Sequence, residues 1–284
     1  MKLAGWTFLK SLLHALPSEQ QGLLIRFLSP EGISHLEKVS PSMQLTQPSI
    51  DTRFDEIHYS WFIPLLETYS AQDKYLLISA LQPEAAQKLL THFAITDKKL
   101  KLAPLVEGFV KKTLYHLLSV EKKEFLPIHL LPESPLKSLL ELSKQELTLL
   151  IDYLGLRDLS IEYPQIIQAT HIKWIKEMLS PGEATHFHTL LNHKEPVIFS
   201  SLHLDQWDGN ADTLKKILHH RGLNRLGKAL FGCHPALFWH LSHLLDVGRA
   251  HILHKLSSDT KNPKVQSVLT HQVTELIPKV KRPS

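Results

Sequence analysis

The segment from Gly222 to Ala229, GLNRLGKA, differs at its last position from the phosphate-binding pattern G-x-x-x-x-G-K-[ST]. In that pattern the amides of a glycine-rich loop cradle phosphates, and the final hydroxyl binds magnesium. Ala229 has no hydroxyl, and the residues before Gly222 follow a helical pattern where a phosphate-binding loop must follow a strand. Leu223 and Leu226 are spaced as on an amphipathic helix. The segment therefore predicts a helix and no nucleotide site.

Three basic residues in and beside this segment have a regular spacing. Arg221, Arg225 and Lys228 stand at i, i+4 and i+7, which places them along one edge of a helix, opposite the leucines. Such an edge is either an ordinary solvated face or a surface that docks an acidic partner. We take Arg221, Arg225 and Lys228 as the candidate partner-binding residues.

Histidines are concentrated near the C-terminus, with 13 of the 19 in residues 171–284. If one helix ran from Pro235 to Leu256, four of them would form a single stripe. The four are His240, His243, His251 and His254. Imidazoles at i and i+3 can share a metal ion, and such a stripe could also sense pH. Gly248 can break this helix, and the histidines flank a leucine face, so a structural role is the alternative.

The remaining residues form no catalytic constellation. Cys233 precedes His234, but adjacent helical side chains diverge by about 100°, so the two cannot form a dyad. The sequence has no G-x-S-x-G nucleophile elbow, and no pair of carboxylates has the spacing of an acid and a base. His186, His188 and His193 are a weaker metal pattern than the stripe. We therefore predict a non-enzymatic protein with no metal and no cofactor.

Composition indicates the elements that would carry these residues. The chain has 54 Leu against 18 Ile and 10 Val, and Leu is the better helix former. Only 11 Gly are present, too few for the turns of a many-stranded β protein. The predicted fold class is all-α, an irregular array of α-hairpins that resembles armadillo proteins, with little or no sheet.

Location can also be predicted from the composition. The single cysteine permits no internal disulfide, which favours a reducing compartment. No uncharged apolar run reaches the roughly 20 residues of a membrane span. Lys10 interrupts the apolar start, and no small-x-small cleavage site follows, so we expect no signal peptide.

Proline-containing corners separate the predicted helices, as in Ser29-Pro30-Glu31, Gln82-Pro83-Glu84 and Ser180-Pro181. Proline is tolerated at the first helical position, where its missing amide would have no partner anyway. The predicted helices lie near residues 5–38, 52–69, 72–93, 97–118, 136–155, 161–179 and 181–192, and again from 211 onward. The last is predicted to run from Pro263 to Leu276, with Pro278 closing it. Residues 197–199 are predicted as either a short strand or a loop.

Two proline-containing stretches, residues 40–50 and 119–135, read as connectors. The second would divide an N-terminal helical region, 1–118, from a C-terminal helical region, 136–284. The charge also differs along the chain. Residues 1–170 contain 17 Lys and Arg against 19 Asp and Glu, whereas residues 171–284 contain 15 against 9. The basic part could bind an acidic protein, anionic lipid or nucleic acid, although its basic residues are not interleaved with aromatic ones as in single-strand binders.

The proline corners resemble the helical repeats of the flagellar rotor protein FliG. Residues 223–230, LNRLGKAL, followed by Leu241–Leu245 and by DVGRA at 246–250, resemble more specifically the C-terminal part of the SctK family. Members of that family are accessory proteins of the type III secretion sorting platform. The match covers one short stretch well and the remainder only by general helical character. The Glu-His-Pro-Gln motif of FliG is absent, so no FliG contact residue is carried over.

The resemblance implies a non-enzymatic cytoplasmic adaptor at the cytoplasmic face of the inner membrane, peripheral and not inserted. Its implied protein partners are the cytoplasmic domain of the membrane-ring protein and an SctQ-like pod protein. Two other classes stay open from the residues alone. One is a helical nucleic-acid-binding or regulatory protein that uses the basic C-terminal half. The other is a metal-dependent enzyme built on the histidine stripe.

Overall fold

A computed structural model describes residues 54–119, 126–204 and 207–281, together with residues 28–38 and positions 6, 9, 10, 13, 21, 22, 25 and 26. The chain divides into two units, Met1–Arg53 and Phe54–Ser284. The predicted connector at residues 40–50 lies outside the described residues. The stretch 119–135, the other predicted connector, lies inside the second unit.

The first unit contains helix α1, Pro30–Lys38. The Ser29 hydroxyl accepts the amide of Gly32 at the start of this helix, 3.2 Å away. Lys10 Nζ donates to the carbonyl of Glu37. These contacts confirm the predicted helix start at the Ser29-Pro30 corner.

The second unit consists of helices joined by turns and loops, and none of the described residues of either unit forms a strand. Its α-helices are α2 (Phe62–Glu67), α3 (Ala71–Ile78), α4 (Pro83–His92), α5 (Pro104–Ser119), α6 (Lys144–Glu162), α7 (Ala169–Met178), α8 (Pro181–Leu191), α9 (Ala211–Ala229), α10 (Pro235–Leu244), α11 (Val247–Leu256) and α12 (Pro263–Val280). Short 3-10 helices lie at Tyr59–Trp61, Ile128–Leu130, Pro135–Glu141 and Tyr163–Gln165. The all-α prediction is confirmed for the described residues, and residues 197–199 form a loop. None of the described helices is both long enough and apolar enough to cross a bilayer.

Local sequence signals explain where several helices begin. Helices α4 and α8 each start with the predicted proline. The Ser180 hydroxyl accepts the amide of Glu183, and the Glu183 carboxylate accepts the amide of Ser180. Ser143 and Glu146 make the same reciprocal pair at the start of α6. Each pair provides partners for two amides that a helix start would otherwise leave without one.

Several predicted boundaries are wrong, among them the helix start predicted at residue 161, since α7 begins at Ala169. The helix predicted from residue 97 begins at Pro104. The break predicted between residues 155 and 161 is absent, because α6 continues to Glu162 with its leucines buried in the core. Pro278 does not end the last helix but lies inside α12, whose face formed by Leu276, Ile277 and Val280 stays buried to the end. Packing therefore outweighs local helix-breaking signals at both of these places.

The core of the second unit centres on α6 and α9. Helices α8 and α12 pack on α6, and α11 and α12 pack on α9. A Cβ atom at Gly155 of α6 would lie 2.0 Å from the carbonyl oxygen of Leu218, and one at Gly222 of α9 would lie 1.8 Å from that of Ile151. No side chain can occupy either place. The two glycines therefore let the backbones of α6 and α9 touch.

The start of the second unit contacts the break between α10 and α11. The amide of His58 donates to the carbonyl of His243 (2.8 Å). Trp61 Nε1 donates to the carbonyl of Leu245 (2.9 Å). In return, the Ser60 hydroxyl accepts the amide of Val247 (3.1 Å). These bonds satisfy backbone groups that the ends of two helices leave without partners.

We predict that Gly222→Ala lowers the free energy of unfolding by about 1–3 kcal/mol or more, because its methyl group would overlap the backbone of α6. Gly108→Ala is the matched control, since a Cβ at Gly108 in α5 would meet no atom within 4 Å. That control should be neutral or gain up to about 1 kcal/mol from the higher helix propensity of alanine. Urea unfolding followed by circular dichroism measures both. Equal stability of the two variants would contradict the close approach of α6 and α9.

Candidate docking surface

The segment that nearly matches the phosphate-binding pattern, residues 222–229, lies within α9. The predicted helix is therefore confirmed. No glycine-rich loop forms there, and Gly222 instead faces the backbone of Ile151.

The three predicted docking cations do not share one exposed edge. Arg221 is half-buried and donates from Nη1 to the Ser200 hydroxyl (3.1 Å) and from Nη2 to the carbonyl of Ser201 (2.7 Å). Lys228 is half-buried and donates from Nζ to the Ser258 hydroxyl, 3.2 Å away. Arg225 is fully buried, with 0% of its surface exposed.

The predicted exposed position of Arg225 is thus wrong. Helical spacing does place it near the other two cations, but α6 and α12 pack on α9 and enclose the middle of this edge. The loop around Val197 covers Arg225 as well, since the Val197 carbonyl accepts a hydrogen bond from it (3.0 Å). A docking role for Arg221 and Lys228 stays a prediction.

Arg225 belongs to a group of charged and polar side chains that we call the core polar cluster. Its members are Arg157, Asp158, Glu195, Arg225, Gln272 and Glu275. All of them are buried except Glu275, whose side chain is 42% exposed. Arg225 Nη1 donates to Glu195 Oε1 (3.1 Å) and to Gln272 Oε1 (3.0 Å), and its Nη2 donates to Asp158 Oδ1. Gln272 Nε2 donates in turn to Glu195 Oε1, 2.6 Å away. This cluster joins α6, α9, α12 and the loop that contains Glu195.

Arg157 extends the cluster toward the surface. It forms ion pairs with Glu195 (3.1 Å) and with Glu275 (3.2 Å). Burial raises the pKa of Asp158, and the neighbouring Arg225 guanidinium opposes that rise. Because a buried charge without its partner is strongly unfavourable, each arginine is needed to hold its carboxylates.

Other basic residues of the C-terminal half are also engaged within the unit. Arg249 pairs with Asp246, Lys279 with Glu275 (2.7 Å), and Lys281 with Glu141. Arg225 is buried altogether. These contacts reduce the positive charge available for phosphate groups at these positions, whereas Lys215, Lys216 and Lys255 are exposed and form no ion pair with any described residue.

The predicted histidine stripe requires one continuous helix, and α10 and α11 are separate. Leu245 is extended, and the carboxylate of Asp246 accepts the amide of Arg249 to begin α11. The chain thus breaks at Leu245 and Asp246, whereas the sequence suggested a break at Gly248, which lies inside α11. Among the described residues, no group of three or more His, Cys, Asp or Glu side chains is arranged to hold a metal ion.

Two of the stripe histidines are core residues. His240 is buried with Nε2 2.9 Å from the carbonyl oxygen of Leu126. The ring of His243 lies between those of Trp61 and Trp239, with centroids 3.9 Å away on each side. The other two members of the stripe are exposed on α11. The four therefore occupy different environments and do not act as one site.

His186 is also a core residue. Its ring stacks on Tyr153, with centroids 4.6 Å apart and planes 13° from parallel. Its Nε2 has no hydrogen-bond partner among the described residues. Burial lowers the pKa of His186 to about 4. His188 and His193 are exposed, so the weaker metal pattern does not come together either.

A surface that the sequence analysis did not single out lies at the start of α5. We call it the apolar patch, and its members are Leu100, Leu105, Val106 and Phe109. Leu105 is 86% exposed and Phe109 is 69% exposed, and they are neighbours on the helix because they are four residues apart. The opposite side of α5 enters the core through Val110 and Leu114. A signal was present in residues 104–110, PLVEGFV, which are apolar on both sides of the helix.

Leu100 belongs to an extended segment that runs along α3. Tyr75 Oη donates to the carbonyl of Lys98 (2.6 Å), and the Ser79 hydroxyl accepts the amide of Leu100 (3.1 Å). These bonds replace the helical ones that the sequence predicts there.

Lysines surround the apolar patch. Residues 97–112 contain five lysines against one aspartate and one glutamate. Lys111 is buried and pairs with Asp55 (3.2 Å) and Glu107 (3.0 Å). Lys98, Lys101 and Lys112 are exposed and form no ion pair with any described residue. The surface is therefore both apolar and positively charged.

Comparisons of the chain with protein-family models, with curated proteins and with solved structures found no match.

We predict that Arg225→Met lowers the free energy of unfolding by about 3–5 kcal/mol, because Asp158 would stay buried without its cation and Glu195 would keep only Arg157. Arg221→Met is the control on the same helix, and we expect a loss of about 1 kcal/mol or less, since Arg221 is only half-buried and its partners are uncharged. The double variant Arg225→Met with Asp158→Leu should recover part of the loss, because it also removes a buried carboxylate. Urea unfolding measures all three. Similar losses for Arg225→Met and Arg221→Met would refute the burial of Arg225.

We also predict that stability falls as the pH decreases from 6.5 to about 4, the interval between the ordinary pKa of histidine and the pKa of buried His186. In this interval the unfolded chain binds a proton at His186 and the folded chain does not, so each pH unit costs up to about 1.4 kcal/mol. His186→Phe keeps the stack on Tyr153 and removes the titration. Its free energy of unfolding, measured by urea at several pH values, should depend less on pH than that of the wild type. Parallel curves would show that His186 is not held neutral.

Proposed function

We propose that this chain is a non-enzymatic adaptor of a type III secretion sorting platform, similar to the SctK family. In this role it would bridge the cytoplasmic domain of the inner-membrane-ring protein to an SctQ-like pod protein. It would work in the cytoplasm, at the inner membrane but not inserted into it. The machine is suggested by the sequence resemblance, and the docking role is supported by the surface of α5.

The observation that carries the docking role is the apolar patch. Folded monomers rarely leave several large apolar side chains exposed next to one another, and where they do, the patch usually contacts another molecule. Leu105 and Phe109 remain exposed although Val110 and Leu114 on the other side of α5 are buried. An adaptor needs such a surface, whereas a protein with an internal reaction site does not.

The two segments that carry the resemblance pack together in the structure. Residues 223–230 lie on α9 and residues 241–250 on α10 and α11, and the leucines of both segments belong to one core. Gly227 brings α9 close to the end of α11, because a Cβ there would lie 3.0 Å from the backbone of Leu256. The segments thus form one structural module of the kind that related proteins can share.

The test is purification of the tagged full-length chain from the cells that encode it. We expect an SctQ-like pod protein and a membrane-ring protein to be recovered and identified by mass spectrometry. If Arg221 and Lys228 dock a partner, the variant Arg221→Glu with Lys228→Glu should lose about tenfold or more of one partner. The control is Lys255→Glu on exposed α11, which should lose neither. Recovery of no secretion component by the folded wild-type chain would refute the adaptor.

A further inference from the structure

We propose that the apolar patch and the exposed lysines around it bind an acidic amphipathic segment of another protein. The patch consists of Leu100, Leu105, Val106 and Phe109, and the lysines are Lys98, Lys101 and Lys112. This inference deepens the proposed adaptor role by giving the chemistry of one partner. It rests on that role only for the identity of the partner protein.

The apolar part of the surface has the features of a binding site. Leu105, Val106 and Phe109 fall within five consecutive residues on one turn of α5, and Leu100 is exposed just before that helix. Elsewhere, the strongly exposed Ile167 and Ile198 have no exposed large apolar residue within four positions of sequence. Single exposed apolar side chains are ordinary, but a group of them that includes an aromatic ring is typical of an interface centre.

The charge around the patch indicates an acidic occupant. Lys98, Lys101 and Lys112 form no ion pair with any described residue, so carboxylates of a partner can approach them without displacing internal ones. The two acidic residues of this region are Asp97 and Glu107. Glu107 is already paired with Lys111, so it does not offset the charge of these three exposed lysines. A surface of this kind attracts a segment with apolar residues on one side and Asp or Glu beside them.

The same lysines argue against a second copy of this chain as the occupant. A twofold pair of identical surfaces would bring Lys101 and Lys112 of one copy near the same residues of the other. Like charges facing each other across an interface are unfavourable. A different, acidic partner avoids this repulsion.

A membrane surface is also less suited to the patch than a protein segment. Helices that lie in a lipid interface present an apolar face over several turns, whereas the exposed apolar residues of α5 occupy one turn. Recognition of anionic lipids usually uses clusters of four to eight basic residues. Four exposed lysines here form no ion pair with any described residue, but Lys99 donates to the carbonyl of Leu81, which leaves three free. We therefore assign the surface to a protein segment and use vesicles as the opposing arm of the test.

The experiment selects peptides from a random library on the full-length chain. We expect enriched peptides to be acidic and amphipathic, and to bind in fluorescence anisotropy with a dissociation constant that rises at least about tenfold for Phe109→Ser and for Lys112→Glu. Ile167→Ser and Lys255→Glu are the matched controls, since both change an exposed residue outside the patch, and their affinity should stay within about twofold. Circular dichroism checks that every variant is folded.

Three results would overturn the proposal. The first is that no peptide depends on Phe109, and the second is that the enriched peptides are neutral or basic. The third is that the chain floats with phosphatidylcholine vesicles containing phosphatidylglycerol and that Phe109→Ser abolishes this flotation. The surface would then bind lipid. If acidic peptides bind but no secretion component is recovered from cells, the docking surface stands and the proposed machine fails.

Discussion

The close contact between the backbones of α6 and α9 is the constraint on which the second unit depends. It exists because Gly155 and Gly222 have no side chains, so each helix presents a gap where the other has a carbonyl group. At this short distance, charged groups on the facing sides of the two helices lie within the core. Asp158 of α6 and Arg225 of α9 meet in this way and neutralise each other. Packing and electrostatics are therefore coupled here, since a wider separation of the helices would also weaken the ion pair.

Much of the fold could be predicted from the sequence, because leucine content and proline corners act locally. The Ser-Pro and Gln-Pro corners begin α1, α4 and α8 where they were expected. The errors arose where distant contacts decide the outcome. Residues 97–103 are extended because Tyr75 and Ser79 bind their backbone, and α6 continues past residue 155 because its leucines are enclosed by other helices. Neither set of contacts can be predicted from the neighbouring residues in the sequence.

The candidate site was less predictable than the fold. Helical spacing correctly predicted that Arg225 lies at a similar angle around the helix axis to Arg221 and Lys228. Spacing alone does not show which side of a helix other helices will cover. The acids that pair with Arg225 could not be predicted, because Asp158 and Glu195 are far from it in the sequence. The apolar patch was missed for the opposite reason. Its residues looked like ordinary core positions, and only the folded arrangement leaves Leu105 and Phe109 uncovered.

The contacts of Ser60 and Trp61 with the break between α10 and α11 have a consequence for how the second unit assembles. Trp61 donates a hydrogen bond to the carbonyl of Leu245, 184 positions away in the chain. The C-terminal end of α10 therefore lacks this hydrogen bond until the segments that contain Trp61 and Leu245 have met. Closing so long a loop is entropically costly and is expected to occur late and slowly. During synthesis on the ribosome, the segment containing Trp61 must therefore wait for residues made 184 positions later.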